Sequence, residues 1–481
     1  MRLKNSRELL VEVGSTALCT LGFWLIVVLI YLESHGVAFF REYRYVKIDG
    51  VVNSFYRTKS MPIMELLCKG MVLVSVTQMA LALVSWCYNL NLMKVITPVW
   101  VLCGLGILAQ CFLNPTGLEE HLLFLMLGMA AGMVMVVMVN IPIGRKLFLW
   151  ICSLAIIVAW LSLAVGIFNK VGGNGSWLFK GSVQPGEAFK VGSLLLTIWG
   201  FDRVRTDRVA RIFYFVTIGS MLASLLVAGD IGNAVILAAI LLICLVTLGY
   251  LRLCVLVSTG GCGAAVLLFR ILSNLKPNSR IVSRIRQSLF TPLFHLEDNA
   301  VNQNLRQGLL ALVRGGIRGT GTSGRNPLVA ANTYAAQTDF VLITSTSIYG
   351  FGFAVCALGA LAVLAINVSR SLKRYGVKNA DVHRATILAS VLLIQGLVHT
   401  LGSISLLPMT GVIYPFLSSG GSSILSCYVC AGALLGYHLP TSVRRRIAAP
   451  FMEIRERMNR IEKGSRAAAQ AASKAEAVEA P

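Results

Sequence analysis

Charge is what this chain has least of. Only 13% of its 481 residues are charged, 21 of them acids against 43 Lys and Arg, whereas a water-soluble chain of this length carries roughly a quarter charged residues and divides into about three domains. That shortage excludes a soluble globular enzyme and a disordered chain. A small-residue cleavage site is also missing after the first apolar run, so the run is expected to stay as an anchor rather than leave as a signal peptide. No internal repeat of the kind that marks an inverted-repeat transporter is visible. No second cysteine pair accompanies the CxxC of Cys427 and Cys430, which sits inside an apolar run. Metal and redox roles both need accessible thiolates, which such a run does not offer. Cys103, Cys152, Cys244 and Cys356 also lie within apolar runs and read as small core residues, not as a disulfide framework.

What the chain has instead is apolar length. At 56% apolar it holds about 270 such residues, enough for at most about 13 membrane helices at about 20 residues each. Runs near 14–33, 64–86, 93–113, 121–142, 147–168, 186–200, 211–229, 231–250, 253–273, 340–368, 383–405 and 415–439 predict an all-α polytopic membrane protein with about twelve crossings. The net charge of +22 lies mainly in the short segments between runs and in the tail, which a membrane explains better than nucleic acid. With a cytoplasmic N-terminus, Arg145 with Lys146, the group Arg203 to Arg211, Arg252, the group Arg370 to Arg384 and Arg444 to Arg446 all fall on the cytoplasmic side. That agreement places both termini there. The exception is the basic loop 274–338, expected outside between the ninth and tenth helices. Beyond the last span, Phe451, Ile454, Met458 and Ile461, with Glu453–Arg457 and Glu456–Arg460 pairs, predict an amphipathic helix. A disordered Ala-rich tail is expected after Gly464.

Ionisable groups at the ends of apolar segments are the default functional candidates in a membrane protein. Three acids stand at the outer side: Glu187, Asp230 and Asp339. Glu187 and Lys190, three residues apart, share a helical face and suit a structural pair. Asp230, bracketed by glycines, suits a tight turn. Asp339 follows the basic loop and opens a run of about thirty residues, where it is either a helix cap or a catalyst. In that loop Gly319, Gly321 and Gly324 satisfy Gly-x-Gly-x-x-Gly, but no strand precedes them, so a dinucleotide reading fails. Glycine amides with Arg314, Arg318 and Arg325 suit a phosphate, and a merely flexible basic loop is the alternative. From Pro408 to Ser423 two prolines and three glycines break the helix. Ser418, Ser419, Ser422 and Ser423 stand ready for the freed backbone groups, and a nearby cavity is expected.

These residues resemble the SEDS family of polytopic peptidoglycan glycosyltransferases, the FtsW and RodA group. The Pro-x-x-Gly-x-x-x-Pro-Phe-x-Ser-x-Gly-Gly-Ser-Ser run, with Pro408, Pro415, Gly420 and Gly421, is the most specific match. Trp177 with Gln184-Pro185-x-Glu187-x-x-Lys190, Asp230-x-Gly232, the loop residues Gln307, Ala311, Gly315, Gly316, Gly319 and Gly321, and Thr338-Asp339-Phe340 follow the family's order. The resemblance covers roughly residues 90–440 and departs at Ser347 and Ile348, where the family has a Glu-Glu pair, and at Ser176, where it has Arg. It divides the chain into residues 1–90, two extra membrane helices with an outer loop; residues 91–440, a ten-helix core; and residues 441–481, a cytoplasmic helix and tail.

What the resemblance implies is polymerisation of lipid II at the outer face of the bacterial cytoplasmic membrane, by inversion, with Asp339 as general base. Arg314, Arg318 or Arg325 would hold the diphosphate, alone or with a divalent cation. Glu187, Lys190, Gln307, Ser418, Ser422 and Ser423 are expected near substrate, while Asp230, Gly315, Gly316, Pro408, Pro415, Gly420 and Gly421 shape the backbone. A class B penicillin-binding protein is the implied partner, besides membrane lipid; nucleic acid is not expected. A lipid flippase or transporter, or a scaffold for the transpeptidase without chemistry of its own, are the other readings.

Overall fold

The computed structural model describes residues 14–28, 60–87, 92–168, 185–275, 282, 300–321, 335–374, 379–407, 409–454, 456, 457 and 460. Among them the chain is helical, without a strand. The helices are α1 (Gly14–Val28), α2 (Ser60–Cys87), α3 (Met93–Leu113), α4 (Leu118–Met138), α5 (Arg145–Phe168), α6 (Pro185–Thr206), α7 (Arg208–Ala228), α8 (Ile231–Thr247) and α9 (Leu251–Leu275). They continue with α10 (Ala300–Gly315), α11 (Val341–Tyr349), α12 (Phe351–Arg374), α13 (Asn379–Ser403), α14 (Gly421–His438) and α15 (Thr441–Ile454).

Seven described helices are long and apolar enough to cross a membrane, or eight if α14 and α15, bent by 109°, count as one span. The chain is an integral membrane protein, and this count of seven or eight is of the described residues alone. Three expected spans are short apolar helices among the described residues: α1, α8 and the stretch Leu251–Gly261 of α9. A fourth, α6, carries Glu187, Lys190, Asp202, Arg203 and Arg205, which lower its hydropathy below that of a plain lipid-facing helix.

The helix α3 is the axis of the bundle. It is buried nearly throughout its length, and α2, α4, α11, α12 and α14 pack around it. On one side α4 lies along α14, with Gly132 facing Gly432, Gly128 against the Tyr428 ring and Gly436 against Val136 and Val139. A Cβ on Gly132 would sit 3.0 Å from the Tyr428 carbonyl, and one on Gly432 would overlap Gly132 itself. Small residues at such contacts let backbones approach where lipid offers no hydrophobic drive between helices. The expected N-terminal helices do pack on the core: Phe23 meets the Trp100 ring edge-on at 4.9 Å, and the Trp24 indole donates to Ser75 Oγ at 3.1 Å.

The expected single span over 340–368 is in fact two helices. The chain breaks at Gly350 (φ +86), where any side chain would run into the backbone of Ile317 and Arg318. At the α5–α7 end of the bundle, Asp207 caps α7 through the Val209 and Ala210 amides, and Arg145, 2.5 Å away, holds its carboxyl below the usual carboxylate range. The tail helix forms, with Glu453 and Arg457 paired at 2.7 Å. Met458, Ile461 and the expected disordered tail lie outside the described residues.

Replacing Gly432 by Val should force α4 and α14 apart and destabilise the protein by about 1–3 kcal/mol. A thermal melt in detergent checks this, and Gly219→Ala, where a Cβ meets open space, should change it little.

Candidate functional site

Residues 335–340 form a turn directly before α11. Ala335 adopts a left-handed conformation (φ 55), and its carbonyl accepts from the Thr338 and Phe340 amides at 3.1 and 3.2 Å. The N-cap of α11 is Phe340, with no side-chain cap hydrogen bond, so Asp339 is not the cap. Its carboxylate is half-buried and faces Gly411, whose Cβ, if present, would lie 3.8 Å from Asp339 Oδ2. Gly411 has φ +69, so a larger residue there would be strained and would crowd the acid.

Three side chains pin this turn to the broken segment between α13 and α14. Gln110 of α3 donates through Nε2 to the carbonyls of Gln337 (3.1 Å) and Leu417 (2.8 Å). Ser419 donates to the same Gln337 carbonyl from its amide (2.9 Å) and its hydroxyl (3.2 Å). The Ser418 hydroxyl donates to the Thr338 carbonyl (2.8 Å) and accepts from the Tyr414 amide (2.9 Å). The two carbonyls just before Asp339 are therefore both fixed. Irregular backbone at membrane depth must be satisfied by protein or line a polar cavity. Here protein supplies partners, and Pro415, Phe416, Leu417 and Ser418 are buried.

Beneath the broken segment lies a buried polar chain. Lys190 Nζ sits 2.6 Å from Glu187 Oε2 and 3.2 Å from Gln395 Oε1, and Ser426 Oγ donates to Glu187 Oε2 at 2.7 Å. Gln395 Nε2 in turn donates to the Ile413 carbonyl (3.0 Å). One turn on, His399 Nδ1 donates to the Val412 carbonyl (2.8 Å), with its ring edge-on to Tyr414. Glu187 and Lys190 are buried inside the bundle as the ion pair expected from their three-residue spacing.

The remaining expected residues divide. Asp230 caps α8, accepting from the Asn233 amide and Nδ2 at 3.2 and 3.0 Å. Gly420 and Gly421 open α14, with Gly421 packed against the Phe124 ring. Ser422 is half-buried and Ser423 buried. Gly315 lies against the Ser347 backbone, and Gly316 has φ +58. Gln307, Arg314 and Arg318 are exposed. Pro408, Arg325, Trp177 and Gln184 lie outside the described residues.

The structure does not bring Arg314 and Arg318 to the Asp339 end of α11. Gly315 meets Ser347, and the Thr320 and Gly321 amides donate to Ser347 and Ile348. Ser347 lies eight residues beyond Asp339, about 12 Å along the helix. At the Asp339 end α10 instead offers Leu305, packed with Phe340 and Ile343, and therefore its exposed neighbours Arg306 and Gln307. Sequence reasoning missed Gln110, Gln395, His399 and Arg306. The usable signal for the first three was a polar side chain inside an apolar run, with Gln395 and His399 four apart on one helix face.

A family model described as cell cycle protein, for the FtsW, RodA and SpoVE group, matches residues 116–441. The chain belongs to the FtsW/RodA/SpoVE family. It is 25% identical over 327 residues to a probable peptidoglycan glycosyltransferase FtsW of Trichlorobacter lovleyi, covering 66% of this chain and 82% of that one. Over 132 residues, 27% of each chain, it is 34% identical to a peptidoglycan glycosyltransferase RodA of Mycobacterium leprae. Its fold is similar to a chain from a peptidoglycan synthase complex solved for its coordination of polymerization and crosslinking, with TM-score 0.52 and 19% identity over 72% of this chain and 96% of that one. The match to the FtsW/RodA/SpoVE model begins after α3, so Gln110, which pins the Asp339 turn, comes from outside the matched residues.

Lys190→Met should leave the Glu187 carboxylate buried without its cation and destabilise the fold by roughly 3–5 kcal/mol. Glu187→Leu combined with Lys190→Met should recover most of that loss in a detergent melt. Equal melting of the single and double variants would contradict the pairing.

Proposed function

We propose that this protein is a peptidoglycan glycosyltransferase that polymerises lipid II, with Asp339 as general base. The observation that carries the reading is the Asp339 turn: a half-buried carboxylate, not used as the α11 cap, on a backbone held by Gln110, Ser418 and Ser419. The FtsW and RodA names of its relatives support the substrate class. The Asp339 end of the bundle then faces outward from the bacterial cytoplasmic membrane, and both termini face the cytoplasm.

In this mechanism the acceptor's sugar 4-hydroxyl gives its proton to Asp339 as its oxygen attacks the anomeric carbon of the donor. The bond to the diphosphate breaks with its electron pair going to the leaving group, and the configuration inverts. One carboxylate suffices. A glycosidase needs a second to protonate a poor leaving group, whereas a diphosphate leaves once cations offset its charge. We assign that task to Arg306, supported by the contact of its neighbour Leu305 with Phe340, while Arg314 and Arg318, further along the loop, suit the more distant part of a long substrate. A class B penicillin-binding protein is the partner we propose, in line with the synthase complex whose fold this chain shares.

Asp339→Asn should lower polymerisation of purified lipid II at least about 100-fold, the lower range for loss of a general base, with an unchanged melting temperature. Arg306→Gln should also lower the rate, and more than Arg314→Gln. Undiminished polymer from the Asp339 variant, assayed with its co-purified partner, would refute the general-base role and leave a scaffold. Movement of lipid across liposomes without polymer would favour a transporter.

A further inference from the structure

A second polar site lies at the other end of the bundle. Along α13, Arg384 precedes His399 by fifteen residues, about 22 Å of helix, which separates this site from the Asp339 turn. A cavity of about 620 Å³ opens there between α4, α6, α13, α14 and α15. Its charged lining is Arg203, Arg384, Arg444 and Arg445 with Asp202 and Asp381. The two acids are already taken up. Arg384 donates to Asp381 (2.6 Å) and Asp202 (2.5 Å), and Arg444 donates to the other Asp381 oxygen at 2.8 Å. With Arg203, which donates to the Ile143 carbonyl, and the exposed Arg445, the lining holds four arginines against two acids.

Two buried polar atoms at this cavity have no hydrogen-bond partner among the described residues: the Tyr437 hydroxyl and Arg384 Nε. Tyr437 is 1% exposed, and its ring is covered by the Arg444 guanidinium at 5.3 Å. A buried hydroxyl left unpaired is costly and marks a place where a ligand atom fits. The first turn of α15 begins at the lining residue Thr441, adding helix N-terminal amides suited to an anion. Ile141, Pro142 and Trp199 add an apolar part to the lining.

We propose that this cavity binds the phosphate group of an anionic ligand, of phospholipid-headgroup size, at the membrane surface opposite Asp339. Arg445, Arg203 and the α15 amides take the phosphate oxygens, the Tyr437 hydroxyl donates to one of them, and the apolar part of the lining accommodates a lipid's glycerol and upper acyl carbons. Basic pockets between membrane helices recognise lipid headgroups in this way. The site does not depend on the polymerase reading.

The test is native mass spectrometry and thermal melting of the full chain, delipidated in detergent, with phosphatidylglycerol, phosphatidylcholine or inorganic phosphate added. Phosphatidylglycerol should bind at least about tenfold more tightly than phosphatidylcholine. Arg445→Gln should cost about fivefold in that affinity, Tyr437→Phe should also weaken it, and Arg446→Gln, exposed but not lining the cavity, should not. Binding of phosphatidylglycerol but not inorganic phosphate assigns the site to a lipid, and binding of both assigns it to phosphate in general. Equal affinity for the two lipids, or equal losses from Arg445→Gln and Arg446→Gln, would overturn the proposal.

Discussion

Residues 412–418 between α13 and α14 are irregular backbone, mostly buried among the helices, where carbonyls and amides need partners from the protein. Gln110 meets this constraint for the Leu417 carbonyl, and in doing so it also takes the Gln337 carbonyl. One side chain thus ties the broken segment to the turn that carries Asp339. The two serines of the segment repeat the tie at Gln337 and Thr338. Satisfying the broken backbone and positioning the carboxylate are the same set of hydrogen bonds.

That coupling extends inward. Gln395 faces the segment with its amide nitrogen and the Glu187–Lys190 pair with its oxygen. A buried ion pair is costly to form and costlier to break. Here it anchors α6 to α13 and, through Ser426, to α14. The half-buried Asp339 therefore rests on a hydrogen-bonded polar scaffold. At the other end of the bundle, the Asp202, Asp381, Arg384 and Arg444 cluster ties α6, α13 and α15 together.

Much of this was legible in the sequence wherever a local pattern decided the matter. Helix positions followed from apolar length, and the family from the spacing of Pro415, Gly421 and Asp339. The Glu187–Lys190 pair followed from a three-residue offset. What could not be read were contacts set by the fold. Gln110 lies 227 residues from Gln337, and nothing local announces that partnership. The break at Gly350 hid inside a continuous apolar run, because its cause is the approach of Ile317 and Arg318 from another segment. The arginines of the Gly-rich stretch were expected beside Asp339 for being close in sequence. At that end α10 instead packs Leu305 on Phe340 and Ile343.

The most direct measurement is a structure of the protein in a lipid nanodisc with an unreactive lipid-linked disaccharide diphosphate and an acceptor strand. The account expects the acceptor's 4-hydroxyl oxygen within about 3.2 Å of an Asp339 carboxylate oxygen, with the Gln110 and Ser418 hydrogen bonds to the turn intact. A sugar bound elsewhere, with Asp339 turned from the hydroxyl and the turn released from Gln110, would contradict it.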